Sequence, residues 1–190
     1  EAEARAKQLR YNFNTAKADF RDMAEANYWT LVFLNEKERQ EKLDDIWSTI
    51  TIDLALPEDA KRPQYIVPEL TVDQLISRRS ELLDSIDRTN ATQHKSTIEH
   101  CNKLMIDFTK CMEQERDKQI AELNRKDGLS ESERQQQINE TQAHIDREIK
   151  KYLLEMKRQI SSAEVSLKRL DDHKAQLAKV ETTLAKQLTH

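Results

Sequence analysis

His144 and the glutamates near it are the side chains whose types and spacing could bind a metal. His144 lies four residues from both Glu140 and Glu148, so the three side chains share one face of a helix. A carboxylate-bridged iron site needs Glu-x-x-His on each of two helices, and the sequence contains no such motif. A solvated charged face explains this spacing better, and we expect no metal and no cofactor.

The two cysteines offer a second kind of chemistry. If Cys101 and Cys111 lie on one helix, their separation of about 15 Å is too large for a disulfide. His94 and His100 lie near Cys101 in the sequence, which leaves a metal or redox sensor as an alternative function. A closed zinc site needs four ligands, however, and the chain has no Cys-x-x-Cys pair. We therefore expect free, buried thiols in a protein of the cytoplasm.

Catalytic motifs are also missing from the sequence. A nucleophile requires a base and an orienting group in one pocket, and a phosphate-binding loop requires several glycines. The chain has a single glycine, Gly128, among its 190 residues. We therefore expect that it is not an enzyme.

The positions of proline and glycine divide the chain into long helical segments. All three prolines fall between positions 57 and 68, and Gly128 provides the other break. Elsewhere apolar residues recur every three or four residues, which is typical of a helix with one buried face. The sequence thus predicts an all-α fold with a long N-terminal helix (1–55), a proline-containing linker (56–69) and an antiparallel helical hairpin (70–190, turn at 127–130).

The hairpin prediction rests on the residues around Gly128. This glycine ends the second helix, and Ser130 with Glu133 forms a capping box for the third. Thr71 with Gln74 predicts a similar capping box where the second helix begins. So short a turn makes the third helix run back along the second. Because only 37% of residues are hydrophobic, we expect an elongated, rod-like coiled-coil bundle of three long helices.

An apolar belt at residues 28–34 is the strongest interface candidate in the first segment. Its side chains would point in more directions than one hairpin can cover, and we expect a homodimer, with a monomer that binds a different protein as the alternative. In the hairpin, the polar stretch 87–97 would face 160–170 and leave apolar residues there uncovered. The predicted interface residues are Trp29, Leu31, Val32, Phe33, Leu34, Leu167 and Leu170.

Basic residues are concentrated near the C-terminal end of the sequence. The whole chain has a formal net charge of −4, yet residues 147–190 contain ten Lys or Arg against six Asp or Glu. The overall negative charge argues against a nucleic-acid partner. The predicted contacts with an anionic partner are Lys150, Lys151, Lys157 and Arg158.

A glycine-poor helical chain without catalytic residues is typical of an interaction protein. We expect a coiled-coil segment that mediates oligomerisation and spacing in a larger cytoskeletal, motor or trafficking assembly. Because the helical pattern extends to both ends, we also expect a piece of a longer protein. The three long helices resemble BAR-type membrane modules. This resemblance implies an alternative function, binding of a membrane surface through the basic flank of the third helix, which the net negative charge makes less favoured.

Overall fold

The computed structural model describes residues 1–189, and these contain helices but no strand, which confirms the predicted all-α class. The described helices are α1 (Ala2–Ala26), α2 (Tyr28–Leu31), α3 (Glu36–Asp53), α4 (Val72–Arg88), α5 (Ala91–Arg125) and α6 (Glu131–Leu188). His190, the last residue of the predicted hairpin, lies outside the described residues. Over residues 1–189, no helix has an apolar stretch long enough to cross a bilayer.

The chain forms two compact units. Unit 1 consists of Glu1–Ser77 together with the end of α6 from residue 183 onward, and unit 2 consists of Arg78–Thr182. Each unit has its own buried residues.

The single helix predicted over 1–55 is wrong, because this range contains three helices. The Asn27 side chain donates a hydrogen bond to the Met23 carbonyl (2.7 Å) where α1 ends. The Asn35 side chain accepts one from the Glu38 amide (2.9 Å) where α3 begins. Asparagine side chains compete in this way with the helical backbone bonds, so they favour helix ends over helix interiors. The break allows α3 to pack against α1.

The core of unit 1 lies mainly between α1 and α3. Phe20 is 1% exposed, and its ring meets the Trp47 ring edge-on with centroids 5.8 Å apart. The Phe13 ring makes a second edge-on contact with Trp47 at 6.2 Å. Such edge-to-face pairs place the positive edge of one ring on the negative face of another. The buried residues of these two helices are Ala16, Phe20, Ala24, Leu43, Ile46, Trp47 and Ile50.

The segment between α3 and α4, which contains the three prolines, lies along unit 1 in a non-helical conformation. The Trp47 indole N–H donates to the Ala60 carbonyl (3.0 Å), and Val67 is buried in the core. Ile66, next to Val67, is 85% exposed. The segment ends at the predicted capping box, where Thr71 Oγ1 accepts from the Gln74 amide at 3.2 Å.

The second helix, predicted to be continuous, is divided within the polar stretch 87–97. α4 ends at Arg88 and α5 begins at Ala91. Asn90 caps α5 by accepting a hydrogen bond from the Gln93 amide (3.0 Å). An asparagine thus begins α5 as Asn35 begins α3, and the stretch 87–97 offers no large apolar side chain whose burial would favour an unbroken helix.

The turn between α5 and α6 has the predicted chemistry. Gly128 has a φ of 85°, in the region that favours glycine. Ser130 Oγ accepts from the Glu133 amide at 3.2 Å, and the Glu133 carboxylate accepts from the Ser130 amide at 3.1 Å, which confirms the capping box. Arg134 donates to the carbonyls of Leu123 and Lys126, so the first turn of α6 is bonded to the end of α5.

Replacing Gly128 with valine should lower the free energy of unfolding by about 1 kcal/mol or more, because a β-branched residue resists a positive φ. No atom lies within 4 Å of the position a Cβ would take, so the cost comes from the backbone alone. Gly128→Asn is the matched control, since asparagine tolerates this conformation better. Denaturant unfolding measures both variants, and equal stability of the two would contradict the assignment of the turn.

Contacts within unit 2 join α4 and α5 to α6. The Arg79 guanidinium pairs with Glu181 at 3.1 Å, and the Cys101 thiol donates to the Gln159 side chain at 3.6 Å. The Phe108 and Tyr152 rings stack with centroids 3.9 Å apart. Residues that come later in α4 and α5 thus contact residues that come earlier in α6. The buried residues of this unit are Leu82, Cys101, Ile145, Met156, Ala163, Leu170 and Val180.

Candidate interaction surfaces

The apolar belt at 28–34 is partly used by unit 1 itself. Leu31 is fully buried in the core, and Val32 and Leu34 pack against that core. Three of the five predicted interface residues in the belt therefore have a structural role within their own chain. Trp29 and Phe33 are half-buried.

Trp29 and Phe33 belong to a cluster of aromatic rings. The Trp29 ring lies 6.2 Å from that of Phe33 and 5.2 Å from that of Tyr28. The Tyr28 hydroxyl donates to the Pro68 carbonyl (3.2 Å). Burial raises the pKa of Tyr28, and the neighbouring Tyr65 raises it further. A tyrosine hydroxyl is already protonated at neutral pH, and the raised pKa extends that state to higher pH, so the hydroxyl can act as the donor to Pro68.

Arginine and backbone groups hold the belt in place. The Arg39 guanidinium donates to the carbonyls of Leu31 (3.1 Å) and Leu34 (3.2 Å), which lie at the end of α2 and just beyond it. The Leu31 carbonyl also accepts a hydrogen bond from the Leu34 amide (3.2 Å), so the backbone just after α2 is held by both a side chain and a backbone group. Side chains of the belt are thereby fixed on a bonded backbone, as expected of a binding surface.

The two leucines predicted as interface residues in α6 differ in burial. Leu170 is 4% exposed, so it is covered within the chain and is not available to a partner. Leu167 is half-buried. We retain Leu167 alone as a candidate for contact with a second molecule.

The four predicted anion-contacting residues surround one exposed leucine. Leu154 is 52% exposed, and Lys150, Lys151, Lys157 and Arg158 each lie three or four residues from it. Residues at these spacings are neighbours on a helix surface. All four cations are exposed. Leu154 was not predicted from the sequence, because only apolar residues on the buried face of the helix were considered. The four flanking cations could have indicated it.

Two shallow grooves of about 460 and 300 Å³ flank this position and share Leu154 in their lining. The larger groove includes the stacked rings of Phe108 and Tyr152, whose pairing the sequence did not indicate. Each groove has two of the four cations in its lining, but the larger groove also has Glu148 and Glu155, and the smaller has Asp146. The excess of positive charge therefore lies mainly on the exposed surface around Leu154 rather than in the grooves, and that surface can accept an anionic partner.

The residues considered for metal or thiol chemistry differ in burial. His144 and Glu140 are exposed, and Glu148 is half-buried. Cys101 is buried, while Cys111 is exposed. Between residues 1 and 189, no three or more His, Cys, Asp or Glu side chains come close enough to hold a metal ion.

Comparisons of this chain with protein-family models, with curated proteins and with solved structures find no match.

Proposed function

We propose that this chain is a non-enzymatic coiled-coil segment that holds proteins together and sets their spacing in a larger cytoskeletal, motor or trafficking assembly. The observation that carries the proposal is the burial pattern of α6. On this helix of 58 residues, Met156, Ala163 and Leu170 are buried at intervals of seven residues, while Ile145 lies 11 residues before Met156 and Val180 lies 10 residues after Leu170. A seven-residue repeat of buried positions is the pattern of a coiled-coil seam.

In this proposal α5 and α6 form an antiparallel coiled-coil hairpin. The order of the contacts supports it, since Cys101 contacts Gln159 and Phe108 contacts Tyr152. The short connection at 126–130 also supports it, because a tight turn brings consecutive helices side by side. A pair of long helices with few buried residues is suited to spanning distance and offering flanks to other chains.

We further propose that the chain forms a homodimer through Trp29 and Phe33. The support is that these large aromatic side chains remain half-buried on a backbone that Arg39 fixes. Aromatic residues at the centre of an interface carry much of its binding energy.

The homodimer is tested by replacing Trp29 and Phe33 together with alanine. The unmodified chain should show twice the 22.3 kDa mass of one copy in light scattering, and the double variant should show the single mass. Each of the two substitutions is expected to reduce the free energy of dimerisation by about 2 kcal/mol or more. The matched control replaces Tyr11 and Ile52, which are 67% and 75% exposed in the same unit, and should remain dimeric. A monodisperse monomer at high micromolar concentration would contradict the homodimer and favour a different protein partner.

A further inference from the structure

The outward face of α6 between positions 147 and 169 has a strongly one-sided charge. With Leu154 as its centre, ten helix positions in this stretch lie within about 60° of it at 100° per residue, and none of the ten is acidic. Seven are cations, namely the four that surround Leu154 together with Arg147, Lys168 and Arg169. The other three are Leu154, Ser161 and Val165. All ten side chains are exposed, and we name this surface the basic face.

Cations of the basic face are available to an external partner. Arg158 approaches Glu155 at 3.9 Å, but both side chains are largely solvent-exposed, and such a pair contributes little. In the part of the chain that the structure describes, the other six cations form no ion pair and no side-chain hydrogen bond. Seven like charges on one helical face repel each other, so an anionic surface would relieve that repulsion.

The geometry of α6 limits how this face can be used. The face is about 33 Å long, because its 22 residue steps each rise about 1.5 Å. Met156 and Ala163, on the opposite side of the helix, are 7% and 4% exposed. The helix therefore cannot roll to insert an apolar side into a bilayer. It can present only the basic face, with Leu154 and Val165 as its exposed apolar residues.

We propose that the basic face binds the headgroups of an anionic lipid membrane. A protein partner would need acidic groups that repeat at the same spacing over about 33 Å, whereas an anionic bilayer offers charge at every position of a plane. Two apolar residues 11 positions apart also supply too little area for the apolar core of a protein interface. The three glutamates of this stretch, Glu148, Glu155 and Glu164, lie about 80–120° round the helix from Leu154, so they flank the basic face rather than interrupt it. Acidic residues farther away do not prevent the contact, since salt screens charges beyond about 8 Å.

The proposal is tested by sedimentation with vesicles of phosphatidylcholine that contain about 30 mol% phosphatidylserine. The unmodified chain should bind these vesicles, should not bind phosphatidylcholine alone and should lose binding as salt is raised. Reversal of Lys150, Lys151, Lys157 and Arg158 to glutamate should weaken binding by about a hundredfold or more, since each cation near the surface contributes to the attraction.

The matched control reverses four exposed lysines of α5 in the same unit, namely Lys95, Lys103, Lys110 and Lys118. It makes the same change in net charge and should retain most of the binding. Replacement of the four α6 cations by glutamine, with helicity measured by circular dichroism, separates loss of charge from loss of fold.

Three results would overturn the membrane proposal. They are equal loss of binding by the two reversal variants, no binding by the unmodified chain, and binding to polyglutamate but not to the vesicles. The last result would assign the basic face to an acidic protein. None of these results depends on whether the chain dimerises, so they are independent of the test of Trp29 and Phe33.

Discussion

Replacing Phe20 with alanine is expected to lower the free energy of unfolding of unit 1 by about 3–5 kcal/mol. Phe20 is 1% exposed and packs edge-on against Trp47, so its removal leaves a cavity between α1 and α3. The Arg62 guanidinium also lies over the Phe20 ring, 5.8 Å from the centroid, and would lose that contact.

Tryptophan fluorescence measures this effect, because Trp29 and Trp47 both lie in unit 1. The matched control is Tyr11→Ala in the same helix, where a 67% exposed ring should change the stability by no more than about 0.5 kcal/mol. Equal denaturation midpoints for the two variants would show that Phe20 is not in the core.

Replacing Leu170 with aspartate is expected to destabilise unit 2 by at least about 3 kcal/mol, because it removes a buried side chain and buries a charge without a partner. Leu170 is 4% exposed, at a position of the seven-residue repeat of α6. Val165→Asp is the control on the same helix, since Val165 is 56% exposed and its aspartate would be solvated. Far-UV circular dichroism during urea unfolding measures both. A midpoint for Leu170→Asp as high as that of the control would contradict the burial of this position.

Backbone-breaking and capping residues allowed much of the fold to be predicted. The capping boxes at Thr71 and Ser130 and the positive φ of Gly128 follow from side-chain chemistry that acts over three or four residues. Such local signals do not depend on what the rest of the chain does.

The predictions that failed depended on tertiary packing. The apolar spacing passes through Asn27 to Leu34 and resumes at Leu43 after eight polar residues, because α1 and α3 both bury one face in the same core. In a sequence, an apolar periodicity shared by two separate helices resembles that of one continuous helix. Only the hydrogen bonds of the asparagine side chains distinguish the two cases. Val180 was also missed, although it is fully buried.

The candidate surfaces were predicted only in part. Paired cations in the sequence were enough to indicate the basic face, since charge and helical spacing place them on one side. The interface residues of the belt were harder to predict, because an apolar run in a sequence does not show which of its side chains are buried within their own chain. Leu31 enters the core while Trp29 remains half-buried, and that choice depends on how α2 sits against α1 and α3.

The antiparallel pairing of α5 and α6 is the central claim, and the distance between two spin labels tests it most directly. One label reacts with the exposed Cys111, while the buried Cys101 is protected, and the other is placed by Asp146→Cys at an exposed position of α6. If α6 runs back along α5, the labels should be about 20 Å apart or less, given a helix spacing of about 10 Å and the length of the label arms. If the two helices formed one continuous helix, the 35 intervening steps would separate them by about 53 Å. A distance near the shorter value would support the coiled-coil hairpin, and one near the longer value would contradict it.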